Sequence, residues 1–505
     1  MRKLFLLLLF IAALPLHLSA VGALTTERDE VGSFGSKPFI IPEVTSWTAA
    51  EFHLFPSRRI VVKSKQLRAT AQLFADDCLS LLGLKMHVVS GKPQRGDIVL
   101  TLDTQLSTND EAYKISIADQ ATVAAPSTRG AFWATRTLLQ LLAVQRSLPR
   151  GTIVDTPQYP LRGMLLDAGR KYIPMTYLRQ LVKLMGLFKM NTLQLHLNDN
   201  SWPKFFDNDW NKTYAAFRLQ CDTYPGLTAT DGSYTKNEFI QLQQFAEANG
   251  VEIIPEIDSP AHPLPFTHYR PSLASKDYGM DHFDLSNPEV YTFMDALFAE
   301  YLSGPNPVFR GPRVNIGTDE YSNAKQEVVE QFRAYTDHYL ALVQSYGKQP
   351  MLWGALTHAK GQTPVRHEGV LMNAWYNGYA EPDSMRRIGY QLVSIPDGLV
   401  YIVPKAGYYQ DFLNCRRLYD NWTPAVIGNV RFTEQDPQIQ GGMFALWNDM
   451  PYPSITILDL HQRIVPALQT IAVKTWTGQL VTLPYEPFDH FRLQLNSLLP
   501  ITEYR

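Results

Sequence analysis

From Pro160 onward the chain alternates short apolar runs with longer stretches of three-and-four spacing, and this rhythm limits the folds open to it. The strand-like runs are 162–167, 192–197, 251–257, 313–316, 351–353, 370–375, 399–403 and 442–447. Helical spacing fills 174–188, 236–248, 288–302, 324–345 and 458–476. Strands separated by helices pair in parallel, because a helix carries the chain back to the start of the next strand. About eight strands over roughly 310 residues is the count and size of a (β/α)8 TIM barrel. An open doubly wound sheet is the alternative. No GxGxxG or GxxxxGK[ST] follows any strand, so that alternative lacks its nucleotide-binding signature.

The upstream residues read differently. Arg2 and Lys3 precede an unbroken apolar run, 4–14, which Pro15 ends before the small residues Ser19, Ala20, Gly22 and Ala23. That is the layout of a signal peptide over 1–23, cleaved after Ala20 or Ala23. The run is too short to span a bilayer. The expectation is therefore a chain that is secreted, periplasmic or at the cell surface, with no transmembrane segment in its mature form. Residues 24–45 are polar and aperiodic and read as a flexible lead. Residues 46–155 mix short strands (60–63, 86–89, 97–102, 113–117, 121–125) with helical spacing at 64–82 and 128–145, a small α+β accessory domain. The barrel then occupies 156–480, and 481–505 is a C-terminal extension packed on it.

Charge and cysteine usage narrow the function. The formal net charge is −2 and no Lys/Arg run occurs, which argues against a nucleic-acid partner. Cys78, Cys221 and Cys415 are widely spaced, without a CxxC or Cys/His cluster, so no metal site and at most one disulfide are expected. Nothing calls for a cofactor. Asn211 and Asn421 begin glycosylation sequons.

The reactive groups of such a barrel sit where its strands end. Strand two runs into His196-Leu-Asn-Asp199-Asn200-Ser-Trp202, strand three into Glu256-Ile-Asp258-Ser-Pro-Ala-His262, and strand four into Gly317-Thr318-Asp319-Glu320. Later strands end at Trp353, Trp375 and Tyr401, and the last at Trp447-Asn-Asp449. Adjacent residues on a regular strand face opposite sides. Gly317 permits a tight turn that points Asp319 and Glu320 into one site. Two neighbouring carboxyls repel, so one of them holds its proton to higher pH, as a general acid requires. Taken alone, an Asp-Glu pair is equally well explained as the start of a helix. His262, steered by a carboxylate such as Asp199, would tune a neighbouring acid.

In order, Pro160-Leu-Arg162-Gly-Met-Leu-Leu-Asp167, 190–199, Pro255-Glu-Ile-Asp258-Ser-Pro-Ala-His262 and Ile316-Gly-Thr-Asp319-Glu320 resemble the family 20 glycoside hydrolases, the β-N-acetylhexosaminidases and lacto-N-biosidases. The resemblance spans about 300 residues with Trp353, Trp375, Tyr401 and Trp447, a length consistent with a barrel. It implies release of a terminal N-acetylhexosamine from a glycan by a retaining mechanism in which the sugar's own acetamide is the nucleophile. Glu320 would be the acid/base. Asp319 would accept the acetamide N–H and Tyr401 would hold its oxygen. The three Trp residues would wall the pocket, Arg162 and Asp449 would bind ring hydroxyls, and Asp199 with His262 would support Glu320.

Two departures stand out. Asn198-Asp199-Asn200 replaces the family's usual paired acids, and Val403 stands where an acid often follows the Tyr. The second resembles the lacto-N-biosidase branch, so disaccharide release is an alternative. A catalytically inactive carbohydrate-binding barrel is another, although such a barrel would not need both Asp319 and Glu320.

Overall fold

The computed structural model of the chain describes residues 37–499. The expected signal peptide and the first part of the lead lie outside them. Eight parallel strands form the barrel: β1 (Leu161–Asp167), β2 (Thr192–His196), β3 (Glu252–Ser259), β4 (Arg313–Gly317), β5 (Gln349–Trp353), β6 (Leu371–Ala374), β7 (Gln391–Ser394) and β8 (Ile439–Leu446). β8 pairs with β7 on one side and β1 on the other, which closes the sheet. Helices cover the outer face and side chains fill the interior, so most strand residues are buried on both sides. The helices Met175–Leu187, Lys236–Ala248, Pro288–Leu302, Gln326–Ser345 and Ile457–Trp476 fall within two residues of their expected spans.

The seventh strand corrects the sequence reading. It is Gln391–Ser394, not 399–403. The five residues between Tyr390 and Pro396 are too few to show a period. The expected segment instead contains the end of a short helix, Asp397–Val400, and a two-residue strand, Tyr401–Ile402. That strand pairs with Ala445 and Leu446, beyond the point where β7 leaves β8, and so carries Tyr401 to the mouth of the barrel.

The accessory domain is a seven-stranded mixed sheet, from the edge strand Ser46–Leu54 to His87–Val89 at the other edge. Its helix Thr128–Gln145 is buried almost all round. It packs against its own sheet, the barrel helix Met175–Leu187 and the C-terminal helix Tyr485–Leu498. The last part of the expected flexible lead, 37–45, is instead fixed in place. Ile40, Ile41 and Val44 are buried, and Gln140 exchanges hydrogen bonds of 2.9 and 2.6 Å with the Ile41 backbone. The C-terminal helix meets both domains, through Gln469–Asn496 (2.7 Å) on the barrel side and Phe491 against Phe39. Cys78, Cys221 and Cys415 are unpaired. Among the described residues, no helix is long and apolar enough to cross a membrane.

A buried polar clamp joins the domains under the barrel. It contains Arg162, which the sequence reading had placed in the sugar pocket. Arg162 is the second residue of β1, at the end away from the pocket, and has no exposed surface. It pairs with Glu111 of the accessory domain at 2.5 Å and donates to the carbonyls of Lys189 and Tyr159. Its guanidinium lies over Trp476, 4.9 Å from the ring centroid. Beside it, Lys189 donates to Asp155 (2.9 Å) and to the Tyr113 hydroxyl (2.7 Å). Glu111→Ala would leave the Arg162 guanidinium buried without a carboxylate. It is expected to cost about 3–5 kcal/mol in denaturant unfolding, while the chemistry of the folded protein stays intact. An unchanged unfolding midpoint would contradict this role.

Candidate active site

The C-terminal ends of the strands surround a cavity of about 730 Å³. Asp199, His262, Asp319, Glu320, Trp375, Tyr401, Trp447 and Asp449 all line it, as the sequence reading expected.

The Asp319-Glu320 pair reaches the cavity through backbone geometry. At the end of β4, Gly317 (φ +78°) and the following Thr318 (φ +73°) are both left-handed. A Cβ at Gly317 would come within 1.8 Å of an Asp258 oxygen, so only glycine fits. Thr318, a β-branched residue in a costly conformation, is buried and donates its N–H to the Ser259 carbonyl at 3.0 Å. The turn breaks the alternation of the strand and brings both acids to one site.

Asp199 is the hub behind them. One of its oxygens faces Arg170 (2.8 Å) and His196 (2.6 Å), and the other faces His262 Nδ1 (3.1 Å). His262 Nε2 then lies 3.2 Å from Glu320 and 3.8 Å from Asp319. Burial opposes a charge on His262, but the carboxylates of Asp199 and Asp319 outweigh it and hold the ring as an imidazolium. Burial also tends to raise Glu320. The hydrogen bond and charge of His262, with the charge of Arg170, reverse that and leave Glu320 below the ordinary Glu range. Asp319 goes the other way. Burial dominates, His262 opposes it, Glu320 adds repulsion, and its pKa rises to about 6. The expected splitting of the pair therefore exists, with the higher value on Asp319. Asp319 Oδ1 is buried without a hydrogen-bond partner, while the Glu320 side chain is 49% exposed.

The aromatic residues take two roles. Trp375 and Trp447 line the cavity. Trp375 is fixed by its indole N–H on the Gly354 carbonyl (3.0 Å). Tyr401 packs against Trp447 with centroids 5.8 Å apart. Trp353, expected as a third wall, stands behind the other two, at 6.5 Å from Trp375 and 5.7 Å from Trp447. It is fully buried because its N–H is engaged by Glu256 (2.8 Å) in the barrel interior.

Arg170 supplies the pocket arginine that Arg162 does not. It follows β1 in Asp167-Ala-Gly-Arg170 and contacts Asp167 (3.1 Å), Asp199 and Asp449 (3.5 Å). A strand-end position was its signal. Gly169 before it lies so close to the Asn198-Asp199 backbone that a Cβ would meet it at 2.7 Å. Sequence reasoning also missed Tyr408, whose hydroxyl donates to Asp449 at 2.6 Å, and Trp210 and Tyr379 in the wall; Trp202, named at the end of strand two but given no role, lies there too. Two groups here have ion-binding spacing, His196–Asp199–Asp258 and Asp258–His262–Asp319. Both ring nitrogens of each histidine already face carboxylates, which fits a hydrogen-bond network instead.

The profile of the glycosyl hydrolase family 20 catalytic domain matches residues 159–479, and that of family 20 domain 2 matches 37–156. The chain belongs to glycosyl hydrolase family 20. Its family relatives include a beta-hexosaminidase of Akkermansia muciniphila, 27% identical over 326 residues, covering 58% of this chain and 64% of the relative. Another is a lacto-N-biosidase of Bifidobacterium bifidum, 24% identical over 504 residues, covering 93% of this chain and 42% of that one. The chain thus spans less than two thirds of the length of either. The family fold is also seen in the GH20 β-N-acetylhexosaminidase of Streptomyces coelicolor A3(2). Its TM-score is 0.73 at 22% identity, with 91% of this chain and 95% of that one covered. Gly317→Ala is expected to destabilise the folded protein by about 1–3 kcal/mol or more and to displace the acid pair. Equilibrium unfolding tests this, and a midpoint equal to the parent's would contradict the turn's role.

Proposed function

We propose that this family 20 chain is an exo-acting β-N-acetylhexosaminidase working by retaining, substrate-assisted catalysis. One observation carries the reading. The buried Asp319 Oδ1 has no protein donor and borders a cavity walled by Trp375, Tyr401 and Trp447. A buried carboxylate oxygen needs a donor, and an acetamide N–H held between aromatic faces supplies one.

The steps follow from that placement. Asp319, ionised, accepts the acetamide N–H and turns the amide oxygen toward the anomeric carbon, with the Tyr401 hydroxyl holding that oxygen. The amide oxygen forms a bond to the anomeric carbon as the glycosidic bond breaks, and Glu320 delivers its proton to the leaving oxygen. Asp319 stabilises the resulting oxazolinium. Glu320 then takes a proton from the water that opens it, restoring the β-anomer. Sugar in the cavity displaces water from half-exposed Glu320, which raises its proton affinity from the value set by His262. Arg170 and Asp449 bind ring hydroxyls. The apolar run at 4–14 supports export, so the substrates are glycans met outside the cytoplasm.

Glu320→Gln is expected to lower kcat at least about 100-fold on substrates with poor leaving groups. Asp319→Asn should cost about 100- to 1,000-fold. The productive free enzyme has Asp319 ionised and Glu320 protonated, the reverse of their order of proton affinity, so its share, and kcat/KM with it, should fall as pH rises above about 6. A basic limb well above that value, or near-parental rates in either variant, would remove these assignments.

A second reading is release of a disaccharide. The cavity continues to Trp202, Lys204 and Trp210, and Val403 lines it. At about 730 Å³ it exceeds the needs of one hexose ring. Nitrophenyl glycosides of GlcNAc, GalNAc and lacto-N-biose separate the readings. Faster turnover of the monosaccharides supports the first, and turnover of lacto-N-bioside alone the second.

A further inference from the structure

His196 takes no part in the steps above, yet it is the most constrained ionisable group under the pocket. It ends β2, is buried, and meets the edge of Trp447 at a ring-centroid distance of 5.0 Å. Its Nδ1 lies 2.9 Å from Glu256 Oε1 and its Nε2 2.6 Å from Asp199 Oδ2. Each nitrogen therefore meets a carboxylate, and either neutral tautomer would set a lone pair against one of them.

The protonation of those carboxylates follows from their other partners. Glu256 accepts from Trp353 Nε1 (2.8 Å) and Gln194 Nε2 (2.6 Å) as well as from His196. Asp199 accepts from the Asn200 N–H (2.6 Å), Arg170 and His262 as well as from His196. Every partner among these is a donor, so neither carboxyl has an acceptor for a proton of its own. Both are anions, and His196 between them carries two N–H bonds. Asp258 on β3 and Asp167, its register partner on β1, are the other acids beside it. Burial by itself would lower the affinity of His196 for its second proton, and Glu256 and Asp199 together overcome it.

The result is a row of groups of alternating sign: Glu256 (−), His196 (+), Asp199 (−), His262 (+), Glu320 (−). We propose that His196 is a positioning residue, a permanent imidazolium that locks Asp199 in place and through it sets the pH range in which His262 and Glu320 work. The inference rests on the reading of Glu320 as the acid/base. His196 touches no reacting atom in this scheme. Its effect travels through Asp199 and through its charge.

A purely structural histidine and a charged positioning residue differ in what their removal does to the pH profile. Loss of a positive charge raises the pKa of every acid nearby. His196→Gln should therefore move both limbs of the kcat/KM profile on nitrophenyl N-acetylglucosaminide to higher pH, by roughly one unit at an effective dielectric constant near 20. Glu256→Gln removes the anion at the far end and should move both limbs to lower pH. Opposite displacements support the proposal. Losses of rate with both limbs in place in both variants would overturn it.

A second measurement is independent of turnover. In the unliganded full chain labelled with 15N-histidine, the His196 resonances, identified by their disappearance in His196→Gln, should keep imidazolium shifts from pH 5 to about 9. A neutral ring anywhere below pH 8 would overturn the proposal. This arm still decides if His196→Gln loses activity too far to profile. If the parent turns over no aryl glycoside, the functional reading fails while the charge of His196 remains measurable.

Discussion

The closure of the eight-stranded sheet is the constraint from which the site follows. Because β8 pairs with both β7 and β1, the C-terminal ends of all eight strands open around one mouth. Arg170, Asp199, His262, the Asp319-Glu320 pair, Trp375 and Asp449 follow β1, β2, β3, β4, β6 and β8, far apart in sequence, yet share one cavity. Local departures from regular structure then aim them. Left-handed residues at His262, Gly317 and Thr318 redirect the chain just past β3 and β4. The short strand Tyr401–Ile402 extends the edge of β8 so that Tyr401 reaches the rim. Costly conformations of this kind persist where the surrounding packing fixes them.

Electrostatics set the second layer. Most charges near the pocket are buried, where an unpaired ion is expensive, so nearly all are arranged in contacts of opposite sign. Two acids stand out: neither oxygen of Asp258 nor Oδ1 of Asp319 has a hydrogen-bond donor, and burial raises the pKa of both, that of Asp319 to about 6. Asp319 Oδ1, bordering the cavity, is open to a donor from a ligand. Its partner acid, Glu320, faces His262 and the cavity. The two carboxyls thus differ by environment, not by type, and in the proposed reaction the more exposed Glu320 gains its proton affinity only when bound sugar displaces its water.

Much of this was legible in the sequence. The period of apolar runs gave the barrel, and Gly317 gave the turn that presents both acids. The misreadings have physical causes. Arg162 lies at the start of β1 and Arg170 just past its end; the strand-end rule favours Arg170, and Arg162 was placed in the pocket only by the family resemblance. Arg162 instead meets an acid of the other domain, Glu111, in a contact that no local pattern encodes. Trp353 has the composition of a pocket wall, but its N–H is claimed by Glu256, a residue 97 positions away. β7 was hidden by its brevity, and residues 37–45 by their lack of period, although Gln140 and the buried Ile40, Ile41 and Val44 hold them firmly.

The central claim is that the substrate's own acetamide, held by Asp319, is the nucleophile. The most direct measurement compares initial rates on nitrophenyl β-N-acetylglucosaminide and on the same glycoside with the 2-acetamido group replaced by hydroxyl. Turnover confined to the acetamido sugar, with loss of a factor of at least about 1,000 on its analogue, is the expected result. Comparable rates on both would contradict the account.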